Sequence, residues 1–292
     1  MLTPVASGVF QIDTLLGGWE RVTAGYLVEG PPPMLVETGS QSSVPALLAA
    51  LDELGVGPDG LAGVVVTHIH LDHAGGVGDV ATAFPGATVY VHPLGARHLA
   101  DPARLVDSAG RVYGDLLDSL YGRLTPTAAE RIVALEDGDA AGTLTAVHSP
   151  GHAKHHLALH DEGSGLLFVG DAVGVKLPDV GVLRPATPPP DFDLDLALSS
   201  LRRFGERRPS ALALAHYGVL PDPPADALAE AAEALREWAG VAERAWRGET
   251  DVEEALAARF GASHERVEIL NGIHSNAAGL RRWLDKRSPT AP

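Results

Sequence analysis

The sequence contains no cysteine, and this absence excludes several kinds of chemistry at once. Disulfide bonds, thiolate metal ligands and thiol nucleophiles all require that residue. Positive charge is also scarce, since 22 lysine and arginine residues stand against 38 aspartate and glutamate residues, a net charge of −16. Recognition of a nucleic-acid backbone depends on clustered cationic side chains, so we expect no nucleic-acid partner. Any bound metal ion must be held by nitrogen and oxygen atoms.

Long hydrophobic runs are missing as well. No stretch approaches about 18 uninterrupted apolar residues. The N-terminal stretch MLTPVASGVFQID lacks the basic and apolar regions of a signal peptide. We therefore expect a cytoplasmic protein with no membrane association. A chain of 292 residues is long enough to form one large α/β domain with an extension.

The order of predicted elements indicates an α/β domain over 1–220, followed by a helical C-terminal extension over 221–292. Alternating and β-branched segments predict strands, and apolar residues at helical spacing predict helices. The predictions are a β-meander over 9–38, helices over 44–54 and 75–84, a helical excursion over 93–135 that includes a helix over 111–121, a loop over 177–190, and helices over 194–204, 225–247, 250–260 and 264–284.

The C-terminal extension holds much of the aromatic area of the chain: Trp238, Trp246, Phe260 and Trp283. Aromatic side chains on helices of this kind most often form a core or a dimer interface. We therefore expect these residues to form a core or the interface of a homodimer. A lid over the substrate is the alternative interpretation.

A stretch reading T-H-I-H-L-D-H directly follows an apolar run, 63–66, that predicts a short buried strand. His68 and His70 lie two residues apart on an extended chain, so both imidazoles face the same way and can bind one cation. Asp72 and His73 follow after the strand has turned and cannot easily reach that position. The spacing therefore predicts a second metal site beside the first.

Three further residues of the metal-ligand type each follow a predicted strand. They are His152, Asp171 and His216. The strands before them are predicted over 143–148, 166–170 and 211–215. Any one of the three would be commonplace at a strand end. Together with the earlier four residues they form the ordered set H-x-H-x-D-H, H, D, H, which supplies three ligands per metal with one aspartate shared.

With these seven residues in this order, the chain resembles the metallo-β-lactamase fold superfamily of hydrolases, in the branch that includes glyoxalase II and the N-acyl homoserine lactonases. The resemblance covers residues 1 to about 220. It implies a four-layer αββα sandwich, in which two mixed sheets pack between outer helices and the metals lie at one edge. It also implies a ligand assignment: His68, His70 and His152 for the first metal, Asp72, His73 and His216 for the second, and Asp171 as the bridge.

The chain departs from this family pattern near the ligands. Where many relatives read L-I-D-T-G, this sequence reads L-V-E-T-G, so Glu37 replaces an aspartate that supports the ligands. After His152 the usual threonine and glycine are lost, although a histidine four residues on, His156, is kept as a candidate support. His155 is left open between solvent and the site. A thiol-tripeptide pocket of the glyoxalase kind does not map onto the C-terminal helices.

We predict a metal-dependent hydrolase that acts on an ester, thioester or lactone of a small molecule. Two divalent cations about 3.5–4 Å apart can bridge a water molecule and lower its pKa toward neutrality. Asp72 and Asp171 are the candidate catalytic residues, because either carboxylate could orient the bridging hydroxide and pass a proton to the leaving group. Tyr217, which follows His216, is a candidate donor to a developing oxyanion.

Zinc is the expected metal because imidazole-rich sites suit it, and iron and manganese accept the same donors. Two other enzymatic functions stay open: a phosphodiesterase, which the acidic charge disfavours, and an iron-dependent oxidoreductase, which retention of the second ligand set disfavours. A non-catalytic scaffold is a third alternative. Substrate choice is expected to depend on the 93–135 excursion, the 177–190 loop and the C-terminal helices.

Overall fold

Two mixed β-sheets pack face to face between outer helices in the computed structural model of the protein. The structure describes residues 1–260, 268 and 270–287. The four-layer αββα sandwich with helices at its C-terminal end is therefore confirmed. No helix among these described residues is both long and apolar enough to cross a lipid bilayer.

The first sheet contains seven strands that lie side by side in chain order. They are β1 (Leu2–Ala6), β2 (Val9–Asp13), β3 (Ala24–Val28), β4 (Met34–Val36), β5 (Gly63–Val65), β6 (Thr88–Val91) and β7 (Ile132–Ala134). Strands β1 to β4 are antiparallel, and β4 to β7 are parallel. The predicted meander corresponds to β2, β3 and β4 and is confirmed. The edge strand β1 was not predicted, because it is short and contains Pro4.

The second sheet contains six strands in the order β13-β12-β11-β10-β9-β8. They are β8 (Ala140–Ala141), β9 (Leu144–His148), β10 (Leu157–Asp161), β11 (Leu166–Gly170), β12 (Ala211–Leu214) and β13 (Gly218–Val219). Only β11 and β12 pair in parallel within this sheet. The three strands predicted before His152, Asp171 and His216 are therefore present as β9, β11 and β12.

Helices cover the outer faces of both sheets. They are α1 (Val44–Glu53), α2 (Leu71–Ala74), α3 (Val77–Ala83), α4 (Pro93–Ala100), α5 (Ala103–Tyr113), α6 (Leu194–Glu206), α7 (Pro224–Trp246), α8 (Val252–Phe260) and α9 (Ile273–Arg287). The continuous helix predicted over 111–121 is wrong. Helix α5 ends at Tyr113 because Gly114 adopts φ 54°, and a π-helical turn, Leu117–Tyr121, follows. The predicted 264–284 helix starts outside the described residues, and its described part lies largely within α9.

The core divides into layers that match the sandwich. Tyr26 and Phe168 lie in the layer between the sheets, with ring centroids 5.0 Å apart. A second cluster lies on the outer face of the second sheet, where Trp238 of α7 and Trp283 of α9 are 0% and 2% exposed. The C-terminal helices therefore pack directly on this sheet. The division of the chain at residue 220 stays a prediction.

Candidate metal centre

The histidine-rich stretch lies at the point where β5 ends in the middle of the first sheet. Gly63 begins this strand, and a Cβ at that position would lie 2.8 Å from the Thr88 carbonyl oxygen of β6. The close contact of the two strands fixes where the chain leaves the sheet. His68 and His70 follow on an extended segment, and the short helix α2 then carries Asp72 and His73. The sequence therefore places two histidines before the turn and two ligand-type residues after it.

The first group of donors contains three histidines whose ring nitrogens converge. His68 Nε2 lies 2.9 Å from His70 Nδ1, and His152 Nε2 lies 3.1 Å from the same atom. Two nitrogen ligands bound at about 2.0–2.1 Å in a tetrahedral site lie about 3.3–3.4 Å apart. The spacing of the three nitrogens therefore fits one cation, and the three residues form a potential metal-binding group.

The second group of donors contains Asp72, His73 and His216. His216 Nε2 lies 3.1 Å from His73 Nε2 and 3.4 Å from Asp72 Oδ2. His73 Nε2 and Asp72 Oδ2 are 3.8 Å apart. This group could therefore hold a second cation with two imidazoles and one carboxylate.

Asp171 lies between the two groups and faces both of them. Its Oδ2 is 3.6 Å from His152 Nε2, while its Oδ1 is 3.3 Å from His73 Nε2 and 3.4 Å from His216 Nε2. Oδ1 is buried and accepts no hydrogen bond. A buried carboxylate oxygen without a donor is costly, and a cation would satisfy it. The donor set therefore fits divalent metal ions on both sides of Asp171.

Gly170 allows the second sheet to approach the ligand loop of the first. It precedes Asp171, and its φ of 47° lies in the left-handed region that glycine tolerates best. A Cβ at this position would lie 2.7 Å from His156 Nε2 and 2.5 Å from Thr67 Oγ1. Only glycine fits there without displacing a neighbour. The G-D pair at the end of β11 is thus a requirement of the site geometry.

Backbone carbonyl groups hold two of the histidines in place from behind. The outer nitrogen of His152, Nδ1, is 3.0 Å from the Ala186 carbonyl oxygen. The outer nitrogen of His216, Nδ1, is 2.9 Å from the Val22 carbonyl oxygen. Each Nδ1–H donates to its carbonyl, so the inward Nε2 keeps the lone pair that a metal needs. Such backbone contacts carry no side-chain signal, and sequence reasoning did not find them.

Glu37 supports the ligand loop although it replaces the aspartate of many relatives. Its Oε1 accepts a hydrogen bond from the Thr67 backbone N–H at 3.1 Å, and its Oε2 lies 3.5 Å from His73 Nδ1. The Thr67 hydroxyl in turn is 2.9 Å from His68 Nδ1. Glu37 has φ 63°, which brings its longer side chain back to the loop. Both ligand groups are therefore supported through this one carboxylate.

The electrostatic surroundings of His70 and Asp72 suit cation binding. Burial, reinforced by His152, lowers the pKa of His70 to about 4. Burial alone would raise the pKa of Asp72, but His73 and His216 hold it at about 2. At neutral pH His70 is therefore a neutral donor and Asp72 an ionised one, which are the forms that bind metals.

The three residues left open by the sequence have different positions. His156 Nε2 accepts a hydrogen bond from the Asp171 backbone N–H at 3.3 Å, and its Nδ1 lies 2.8 Å from Ser149 Oγ. His155 lines the cavity above the metal groups. Tyr217 lies instead beneath Arg21, whose guanidinium carbon is 5.9 Å from the ring centroid. An oxyanion role for Tyr217 gains no support from this position.

A cavity of about 260 Å³ opens above the two donor groups. Helix α5, the proline-rich loop and the described C-terminal residues all contribute to its wall, as the sequence led us to expect. Tyr113 also lines the cavity, with its ring 4.3 Å from that of Tyr121. From the sequence alone Tyr113 and Tyr121 are only minor candidates, because they lie far in sequence from every ligand.

Comparisons with a family model, with curated proteins and with solved structures all find metallo-beta-lactamase proteins. A family model described as the metallo-beta-lactamase superfamily matches residues 17–216. The metallo-beta-lactamase fold-containing protein ST1585 of Sulfurisphaera tokodaii is 30% identical over 194 residues, which cover 64% of this chain and 69% of the relative. The crystal structure of ST1585 matches with a TM-score of 0.71 at 24% identity and covers 95% of this chain and 99% of that chain.

Two other relatives carry the names of hydrolytic enzymes. Hydroxyacylglutathione hydrolase of Aeromonas hydrophila is 31% identical over 144 residues, or 48% of this chain and 42% of the relative. Acyl-coenzyme A thioesterase MBLAC2 of Bos taurus is 29% identical over 118 residues, or 37% of this chain and 40% of the relative. Both matches cover less than half of the relative. The family model, the fold and the ligand geometry agree, and the chain belongs to the metallo-β-lactamase superfamily.

Proposed function

We propose that this protein is a hydrolase that uses two divalent metal ions to cleave an ester, thioester or lactone of a small molecule. The observation that carries the proposal is the position of Asp171, whose two oxygens face two separate groups of donors at 3.3–3.6 Å. Divalent metal ions, when bound, supply a Lewis acid and a water activated at neutral pH. The names of the hydrolase and thioesterase relatives support the same reaction class.

The proposed ligand assignment follows the two donor groups. His68, His70 and His152 would hold the first metal, Asp72, His73 and His216 would hold the second, and Asp171, which faces both groups, would contribute to each. Zinc is the proposed metal because imidazole and carboxylate donors without thiolate suit it, and iron or manganese would accept the same set. The absence of cysteine is compatible with all three metals.

Asp72 is the proposed proton-transfer residue, together with Asp171. Both carboxylates line the cavity, at the position where the carbonyl group of a substrate would bind. Burial alone would raise the pKa of Asp171, but the surrounding histidines, His73 first, hold it well below its ordinary value. Both carboxylates are therefore ionised at neutral pH, so they can orient a water molecule and pass its proton to the leaving group.

The experiment combines metal quantitation with a substrate panel. Purified protein is expected to contain two metal ions per chain by plasma mass spectrometry and to hydrolyse at least one p-nitrophenyl ester, thioester or lactone. The Asp171→Asn variant is expected to lose at least half of the metal and to lower kcat/KM by about 100-fold or more. Asp59→Asn, at an exposed aspartate, is the matched control and should change neither quantity.

Each other result would contradict the proposal in a recognisable way. Fewer than two metal ions per chain after reconstitution would exclude a dinuclear site. Faster turnover of bis(p-nitrophenyl) phosphate than of every carboxyl ester would establish the phosphodiesterase alternative. Oxygen consumption by the ferrous protein, without hydrolysis of the panel, would establish the oxidoreductase.

A further inference from the structure

The wall of the cavity is mainly apolar, and α5 provides one side of it. Leu105, Ala109 and Val112 all line the cavity and are spaced by four and three residues, so they lie on one face of the helix. Ile69 and Leu71, next to the metal-binding loop, also contribute to the lining. A ligand in this cavity would therefore contact aliphatic side chains over much of its length.

Val112 is unusually exposed for a large apolar side chain. It is 68% exposed and lies at the cavity, and Leu116, four residues further on, is 44% exposed. Removing apolar surface from water is favourable by about 25 cal/mol per Å². An apolar ligand that covered Val112 would gain this contribution. The exposed valine therefore favours an apolar group on the part of the ligand that binds beside it.

The described lining of the cavity includes aspartates but no lysine or arginine. Among the described lining residues the charged ones are Asp72, Asp171 and Asp191, and neither lysine nor arginine is present in that set. Lys154, the nearest cation to Asp191, is paired with it at 3.1 Å and does not line the cavity. An anionic group that lay along the described part of this wall, away from the two donor groups, would lose its hydration without meeting a lysine or an arginine.

The polar amides at the C-terminal side of the cavity are already used within the protein. Asn276 Oδ1 accepts a hydrogen bond from the Thr187 hydroxyl at 2.9 Å, and Asn271 Nδ2 donates to the Pro185 carbonyl oxygen at 3.0 Å. These amides therefore hold the proline-rich loop against the last helix.

We infer that the substrate is an uncharged ester, thioester or lactone whose acyl group is apolar. The inference rests on the proposed hydrolase function and specifies its substrate class. The cavity of about 260 Å³ lies just below the usual range for small-molecule sites, about 300–1,000 Å³. A short aliphatic acyl group fits such a volume. A large phosphorylated carrier would extend beyond it.

Two matched pairs of substrates test the charge preference with the metal-loaded protein. The first pair is p-nitrophenyl hexanoate and mono-p-nitrophenyl adipate, which have the same chain length and differ by a terminal carboxylate. The second is the hexanoyl thioester of N-acetylcysteamine and that of coenzyme A, which share the acyl group and differ in the charge of the carrier. In both pairs kcat/KM is expected to be at least tenfold higher for the uncharged member.

The Val112→Asp variant tests the wall itself. It is expected to lower kcat/KM for the hexanoate at least tenfold, mainly through KM, because the new carboxylate would lie where the acyl chain binds. Val112→Lys should instead reduce the preference for hexanoate over adipate. Val133→Asp is the control, because Val133 is also an exposed valine and lies on edge strand β7, away from the cavity lining. Metal content should be unchanged in all three variants.

The results that would contradict the inferred substrate class differ from those that would contradict the hydrolase proposal. Equal or faster turnover of the adipate or of the coenzyme A thioester would overturn the inferred substrate class and leave the hydrolase proposal in place. An unchanged KM for the hexanoate in Val112→Asp would also overturn the inference. If the protein bound two metals and hydrolysed none of these substrates or any lactone, the hydrolase proposal would fail, and the inference with it.

Discussion

Individual residues decide how well the two ligand groups are held. Glu37 is a non-glycine residue in the left-handed region, a conformation that costs about 1–3 kcal/mol and persists only where the surroundings enforce it. Its two carboxylate oxygens contact the backbone of Thr67 and approach His73. The strained backbone therefore lies directly behind the metal ligands, where a longer side chain replaces the aspartate of many relatives.

Glu37→Gln is expected to weaken metal binding about 10- to 100-fold, because the negative charge behind His73 is lost while the length of the side chain is kept. The measurement is a competition titration with a chromogenic chelator. Glu29→Gln, at an exposed glutamate, should leave the affinity unchanged. An equal affinity of Glu37→Gln and the unaltered protein would mean that Glu37 acts on the backbone alone.

His156 is a second residue that acts from behind the ligands. Its ring connects Ser149 with the Asp171 backbone N–H. His156→Ala is expected to lower the free energy of unfolding by about 1–3 kcal/mol, because it leaves these buried polar groups without a partner. Urea denaturation of the metal-free protein measures this change. His98→Ala, at a half-buried histidine on α4, is the comparison and should cost less than half as much.

At the scale of elements, the loops around the site are fixed by helices that lie far along the chain. Helix α9 packs against the proline-rich loop, and Gly279 of α9 is buried there. A Cβ at Gly279 would collide with the Thr187 carbonyl oxygen. The glycine therefore permits the close contact between the last helix and the loop that forms part of the cavity wall.

Gly279→Ala is expected to destabilise the protein by about 1–3 kcal/mol, since the backbone contact cannot relax without moving the loop. Gly240→Ala on α7 provides an internal control, because a Cβ there meets only the far end of the Arg244 side chain at 3.8 Å. That substitution should stabilise the protein by about 0.5–1 kcal/mol through helix propensity. Thermal unfolding of both variants distinguishes the effects, and destabilisation of equal size would refute the packing argument.

At the scale of the whole molecule, the proposed metal centre would join the two sheets. Ligands of the proposed centre come from the loop after β5 in the first sheet and from the ends of β9, β11 and β12 in the second. A metal ion that binds only the folded state stabilises it by RT ln(1 + L/Kd), where L is the free-metal concentration. The metal is therefore expected to act as a cross-link between the layers.

Removal of metal with a chelator should lower the melting temperature, because stabilisation at a free-metal concentration of 100 Kd is about 2.7 kcal/mol. Differential scanning fluorimetry before and after dialysis measures the shift, and addition of zinc should restore the original value. If neither metal removal nor zinc addition changed the melting temperature, the donor groups would bind no metal in the folded protein.

The homodimer expected from the C-terminal aromatic residues stays a prediction. Trp238 and Trp283 are buried within their own chain, so they do not provide an interface. Trp246 is 52% exposed at the end of α7 and is the residue that would contribute to one. The side chain of Phe260 lies outside the described residues. Light scattering of the purified protein would decide its oligomeric state.

The sequence by itself determined the fold class and the donor set, because strand ends followed by histidine and aspartate are a local pattern. Spacing within 68–73 already separated two metal positions, and the seven candidate ligands of the proposed centre lie together in the structure. Only the tertiary structure decided what surrounds them. The Ala186 and Val22 carbonyl contacts, the place of Tyr113 and the apolar wall formed by α5 all depend on residues distant in sequence. Such contacts arise from packing between layers, which no local pattern encodes.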